Sequence, residues 1–156
     1  MTAPTPDGDQ ALAARVVEAM LARDAFSRWL GITVLEVKPR YAAVRMTVRD
    51  EMVNGFGVSH GGIAYSVADS ALAFASNTHG RVTVSIENAI TYPAPVHVGD
   101  VLTAVAEEES ASTRLAYFRV TVRRHDDAIV GLFRGTVYRT TREFFARDGA
   151  SGGGGL

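Results

Sequence analysis

The spacing of hydrophobic positions changes several times along the chain, and each change marks an element. From Gln10 to about Leu30, apolar residues fall at Leu12, Val16, Val17, Met20 and Leu21, with Arg15, Glu18 and Arg23 between them. That spacing predicts an amphipathic helix, followed by a short second turn, FSRWLGI, that enters a sheet. From Ile32 the period falls to two. In AAVRMTVR, Val44, Met46 and Val48 point one way and Arg45, Thr47 and Arg49 the other. With ITVLEVKP before it and Pro39-Arg40 between, this reads as a β-hairpin.

A loop with four glycines, DEMVNGFGVSHGG, comes next, and then HGGIAYSVADSALAFASN. Between Ile63 and Ala75 the polar groups are two serines, one tyrosine hydroxyl and one carboxylate, Asp69. This is a helix apolar on all sides, with a stop signal at Asn77 and Gly80. Four strand-like segments follow: RVTVSIENAITYPAPV, VLTAVAEEES, RLAYFRVTVRR and AIVGLFRGTVYRT, the last two flanking an HDD turn. Strands joined by short turns make an antiparallel sheet, whose apolar face must be covered. The long helix is the one element able to cover it. The expectation is an α+β fold in which a curved antiparallel sheet of about six strands wraps one central helix. A helix apolar all round also needs cover on its outer side, which predicts a partner subunit.

A chain of 156 residues forms one domain, here 10–141. The segments 1–9 and 147–156 read as disordered termini, the latter, RDGASGGGGL, also as a possible cloning remnant. No signal peptide is visible, and no run reaches the roughly 18 apolar residues of a membrane span. A net charge of −1 points away from nucleic acid and anionic membranes as partners. With no cysteine, disulfides and thiolate chemistry are excluded, which fits a cytoplasmic protein. His79, His97 and His125 lack metal-ligand spacing, so neither a metal nor any other cofactor is expected.

Asp69 carries the candidate chemistry. A carboxylate inside an apolar helix is either held by neighbours such as Ser66 and Ser70 or kept for use as a base. At the helix start, SHGG is either a glycine turn or a site where the unpaired amide of Gly61 meets a substrate oxygen. Gly61 and Asp69 are eight residues apart, about 12 Å along a helix and about 80° around it. One carbonyl cannot touch both. If both act, they come from two antiparallel helices at a two-fold axis. His60 is a cap or a polar site residue, and Asn54 is by default a turn asparagine. Arg114, Arg119, Arg123 and Arg124 mostly alternate outward on one strand, as a solvated face does.

The segment NGFGVSHGGIAYSVADSALAFASN resembles the acyl-CoA thioesterases of the hotdog fold, and within them the phenylacetic acid degradation (PaaI-type) family. Asn54, His60, Gly61, Gly62 and Asp69 match that family's pattern in type and spacing, and the similarity runs through roughly residues 25–140. The resemblance implies a homodimer with composite sites, pairing into a homotetramer. It maps the catalytic acid onto Asp69, the oxyanion amide onto Gly61, and the groups that orient thioester and water onto Asn54 and His60. Ser85 maps onto a serine that approaches the attacking water, and Gly62 onto a substrate contact. Some related aromatic thioesterases carry a hydroxyl one turn after the acid. Here that position is Ala73, which counts against a 4-hydroxybenzoyl-type substrate.

The expected activity is hydrolysis of an acyl-CoA, phenylacetyl-CoA or a ring-hydroxylated relative, with Asp69 activating water or attacking directly. Phe56, Tyr65 and Phe74 are candidates for a ring-binding pocket, against core packing as the plainer role. The competing expectations are a non-catalytic acyl-CoA sensor on the same fold and a hotdog hydratase. The first lacks room for a DNA-binding domain, and the second lacks the acid–histidine arrangement it needs.

Overall fold

The computed structural model describes residues 6–145. Helix α1 spans Pro6–Arg23 and so begins ahead of Gln10, with Asp7 and Asp9 in its first turn. Proline in the first turn loses no helical hydrogen bond, and acids there meet the positive end of the helix dipole. Pro6–Asp9, expected to be disordered, are therefore helical. Residues 1–5 and the whole 147–156 segment lie outside the described residues. Helix α2, Ala25–Leu30, is a separate turn, capped by Asp24 and closed by Gly31 in the left-handed conformation (φ 76°).

The hairpin forms as the alternation predicts, from β1 (Thr33–Lys38) and β2 (Tyr41–Thr47), with Arg40 left-handed in the turn. A 3-10 turn at Asp50–Met52 leads through the glycine loop into α3, Gly61–Asn77. The remaining strands are β3 (Arg81–Thr91), β4 (Val101–Ala111), β5 (Leu115–Arg124) and β6 (Ile129–Glu143). All six form one antiparallel sheet in the order β1-β2-β4-β5-β6-β3.

The four late strands are thus not neighbours in chain order. The connection from β3 to β4 contains Pro93 and Pro95 and is no tight turn. It lets β3 lie at the far edge, beside β6, while β4, β5 and β6 form a meander.

The sheet's inner face carries Val44, Met46, Leu102, Ala104, Phe118, Val120, Phe133 and Val137, all buried against Val67, Ala71, Leu72, Phe74 and Ala75 of α3. Gly135 of β6 lies where the helix comes closest: a Cβ there would overlap Leu72 Cδ2. The outer side of α3 is covered in part by α1 and α2 rather than wholly by a partner. What stays half-exposed on α3 beyond Gly61 is one stripe, Gly62, Tyr65, Ser66, Asp69 and Ala73. These positions recur at the helical period and so lie on one face.

Candidate active site

Asp69 lies on that open stripe, and its partner is neither of the serines beside it. Ser66 Oγ donates to the Gly62 carbonyl at 2.6 Å, and Ser70 Oγ meets Ser27 Oγ at 2.9 Å. Instead Asn88 Nδ2, on β3, donates to Asp69 Oδ1 at 2.9 Å, and Ser85 Oγ donates to Asn88 Oδ1 at 2.8 Å. Burial pushes the Asp69 carboxyl above its ordinary value. The Asn88 hydrogen bond pulls the other way, and the negative charge of Asp24 adds to the upward push. The result is a carboxylate with raised basicity and a fixed orientation.

Ser85 and Asn88 are three residues apart, so in a regular strand they would face opposite sides. The pairing with β6 slips between Ser85, opposite Val137, and Glu87, opposite Thr136. This β-bulge adds one residue to β3, and it brings both side chains to the helix side. Gly135 sits directly opposite Asn88, and a Cβ there would stand 3.0 Å from Asn88 Oδ1.

At the other end of the stripe, His60 is the N-cap of α3. Its Nδ1 accepts from the Gly62 amide at 2.9 Å. An amide can only donate, so the neutral ring carries its proton on Nε2 and offers a donor there. The Gly62 amide, expected as a substrate contact, is engaged by this cap. The Gly61 amide has no partner among the described residues and remains free to donate to a substrate oxygen. Tyr92 OH donates to the Gly61 carbonyl at 3.0 Å, and its ring carbon Cζ lies 3.2 Å from where a Cβ at 61 would be. A side chain at 61 would press on that ring and push it back by a few tenths of an ångström.

Asn54 takes the turn role. Its Oδ1 accepts from the Phe56 amide at 2.9 Å, and its carbonyl accepts from Gly57 at 3.1 Å, Gly57 being left-handed. The turn presents Phe56 almost fully to solvent, at 93 % exposure. Tyr65 is half-buried on the stripe, edge-on to Phe133 with ring centroids 5.4 Å apart. Phe74 is fully buried in the core, because it sits on the sheet side of α3. It is a packing residue and cannot line a pocket on the stripe.

Within one protomer the structure therefore brings together Asp69, Asn88 and Ser85, and separately His60, Gly61 and Tyr92. Asn88 and Tyr92 were not singled out from sequence. The one signal for Asn88 was an amide residue, poor in strand propensity, inside a β-branched run. Among the described residues no cluster of acidic or histidine side chains could hold a metal ion.

A model of the Thioesterase superfamily matches residues 56–130. The chain is 34% identical over 121 residues to the acyl-coenzyme A thioesterase PaaI of Escherichia coli, covering 78% of this chain and 86% of that one. The solved structure of E. coli PaaI, described as from the phenylacetic acid degradation operon, superposes with a TM-score of 0.84 at 31% identity. It covers 86% of this chain and 97% of its own. A single-residue mutant of the phenylacetic acid degradation protein PaaI of Thermus thermophilus gives 0.72 at 39% identity, over 75% of this chain and all of the other. With a six-stranded antiparallel sheet wrapped on one helix and an acid on that helix's open stripe, the chain belongs to the hotdog-fold thioesterase superfamily and is an acyl-CoA thioesterase of the PaaI type.

Proposed function

We propose that this thioesterase acts on phenylacetyl-CoA or its ring-hydroxylated relatives, with Asp69 as the catalytic acid in a site shared by two protomers. The observation that carries this is the position of Asp69. It lies on the one open stripe of an otherwise buried helix, oriented by Asn88. The similarity to PaaI proteins named for phenylacetic acid degradation supports the substrate class. Tyr65, on the stripe, and Phe56, on the loop, offer aromatic surface to an arylacetyl group.

A second copy supplies what one protomer lacks. Among the described residues strand β3 pairs only with β6, so its other edge has unpaired backbone groups. Pairing two β3 edges would extend the sheet and set two α3 stripes antiparallel. Each Asp69 would then approach the partner's Gly61 amide. That amide would hold the thioester oxygen as negative charge develops on it, a donor worth roughly 3–4 kcal/mol. Asp69 would take a proton from water attacking the carbonyl carbon, or attack it directly to give a mixed anhydride that water then opens. The CoA thiolate leaves readily, since thiols of this kind ionise near about pH 8.5. His60 Nε2–H and Ser85 would orient thioester and water. Dimers would pair further into tetramers, in a cytoplasmic enzyme that needs no cofactor.

Release of free CoA thiol from a panel of acyl-CoAs tests the substrate class. Phenylacetyl-type thioesters should give the highest kcat/KM. A preference for long aliphatic chains would overturn the assignment. Replacing Asn88 tests the orientation of the acid. Asn88→Ala removes the donor that favours ionised Asp69, so the acidic limb of the pH–rate profile should move to higher pH, with kcat down about tenfold. An unchanged profile would show that Asn88 only fills space.

A further inference from the structure

Asp24 has more contacts than a helix cap requires. Capping α2 needs one carboxylate oxygen on the Ser27 amide, which Oδ1 supplies at 2.9 Å. The second oxygen, Oδ2, accepts the Ser27 hydroxyl at 2.5 Å. Ser27 Oγ in turn lies 2.9 Å from Ser70 Oγ. The single hydroxyl proton of Ser27 is committed to the carboxylate, so Ser70 must be the donor in that second contact. A directed chain therefore runs from Ser70 through Ser27 to Asp24. Its two serines are out of water, at 8 % and 0 % exposure. Ser70 immediately follows Asp69 on α3.

We propose that Asp24 is a positioning residue for the Asp69 carboxylate: through Ser27 and Ser70 it fixes the turn of α3 that carries Asp69, and it holds a second negative charge near that carboxylate. The proposal rests on the role given to Asp69 above. The surroundings make Asp24 stand out. Helix α1 presents Ala13, Val16 and Val17 to the core. Strands β4, β5 and β6 present apolar residues to α3 along most of its length, with the paired charges of Glu108 and Arg139, 2.6 Å apart, beside His79 just beyond its C-terminal end, and β3 presents the neutral Asn88. Among the described residues Asp24 is the charged group that acts on Asp69, and it favours the proton there. Asn88 and Asp24 thus pull the same carboxylate in opposite directions, one by donating a hydrogen bond and one by like charge.

Asp24→Asn removes the charge and keeps the framework. Asparagine caps helices well; its Oδ1 can accept the Ser27 amide and its Nδ2 can donate to Ser27 Oγ, reversing the chain toward Ser70. Two readouts are compared in the whole protein. The first is the titration of the Asp69 carboxyl by carbon-13 NMR, its signal assigned by its absence in Asp69→Asn. The second is the pH profile of thiol release. In Asp24→Asn the Asp69 midpoint should fall to lower pH, and the acidic limb of kcat/KM should move with it. Ser27→Ala, which cuts the chain and keeps the charge, should leave the midpoint in place and lower kcat several-fold with KM unchanged. An Asp69 midpoint unmoved by Asp24→Asn overturns the charge role, and a Ser27→Ala variant with wild-type kcat overturns the positioning role. The role of Asp69 itself fails separately, if Asp69→Asn retains turnover.

Discussion

Asp69→Asn is expected to lower kcat/KM by about a thousandfold or more while the melting temperature stays level or rises. The two effects share one origin. A general base contributes on the order of 10²–10⁴ in rate, and asparagine can neither accept the proton nor attack the carbonyl. Stability moves the other way because the folded protein holds this carboxyl above its ordinary value, chiefly through burial. Between the unfolded and folded pKa values the native state binds the extra proton. Stability therefore falls as pH rises through that window, and the penalty is fully present above it. Asparagine has no such penalty, and its Oδ1 can still accept from Asn88 Nδ2. Thiol-release kinetics and a thermal melt at neutral pH check both halves. Retained turnover, or a melt several degrees lower, would mean that Asp69 is a structural acid.

Gly135→Ala should destabilise the fold and slow the enzyme together. The added Cβ would overlap Leu72 Cδ2 and stand 3.0 Å from Asn88 Oδ1. Leu72 is buried at 1 % exposure between helix and sheet, so it has little space to yield. Overpacking of this kind costs about 1–3 kcal/mol. The relief available is for α3 to lift from β6 or for Asn88 to turn away, and either breaks the Asn88–Asp69 contact. A melting temperature lower by several degrees, with kcat down severalfold, is the expected pair. Gly55→Ala is the control: nothing lies within 4 Å of a Cβ there. If the two variants behave alike, the close approach of helix to strand is not what requires glycine at 135.

Much of this fold was legible because its elements have clean periods. The alternation of Val44, Met46 and Val48 marked the hairpin, and the unbroken apolar run from Ile63 to Ala75 marked the central helix. Two features were hidden for physical reasons. Strand neighbours depend on loops, and a nine-residue connection from Tyr92 to Asp100 permits either edge of the sheet. The partner of Asp69 depends on a bulge. Counting by twos puts Ser85 and Asn88 on opposite faces, and nothing in SIENA announces that one residue is skipped. The serines nearest in sequence were the natural partners to expect, yet Ser66 is satisfied by a carbonyl one turn back and Ser70 by α2. The half-exposed stripe was also invisible, since it depends on how much of α3 the first two helices cover.

The strand order also fixes a sequence of assembly. Strands β1, β2, β4, β5 and β6 each pair with a neighbour near in the chain or reached across one excursion, whereas β3 waits for β6, which the chain reaches only after β4 and β5. On a ribosome, β3 emerges early and can meet α3, but it has no strand to pair with until nearly the whole domain has been made. Asn88 travels with it. The hydrogen bond that orients Asp69 therefore belongs to the last closure of the sheet, and a chain that has folded everything else is still catalytically unfinished.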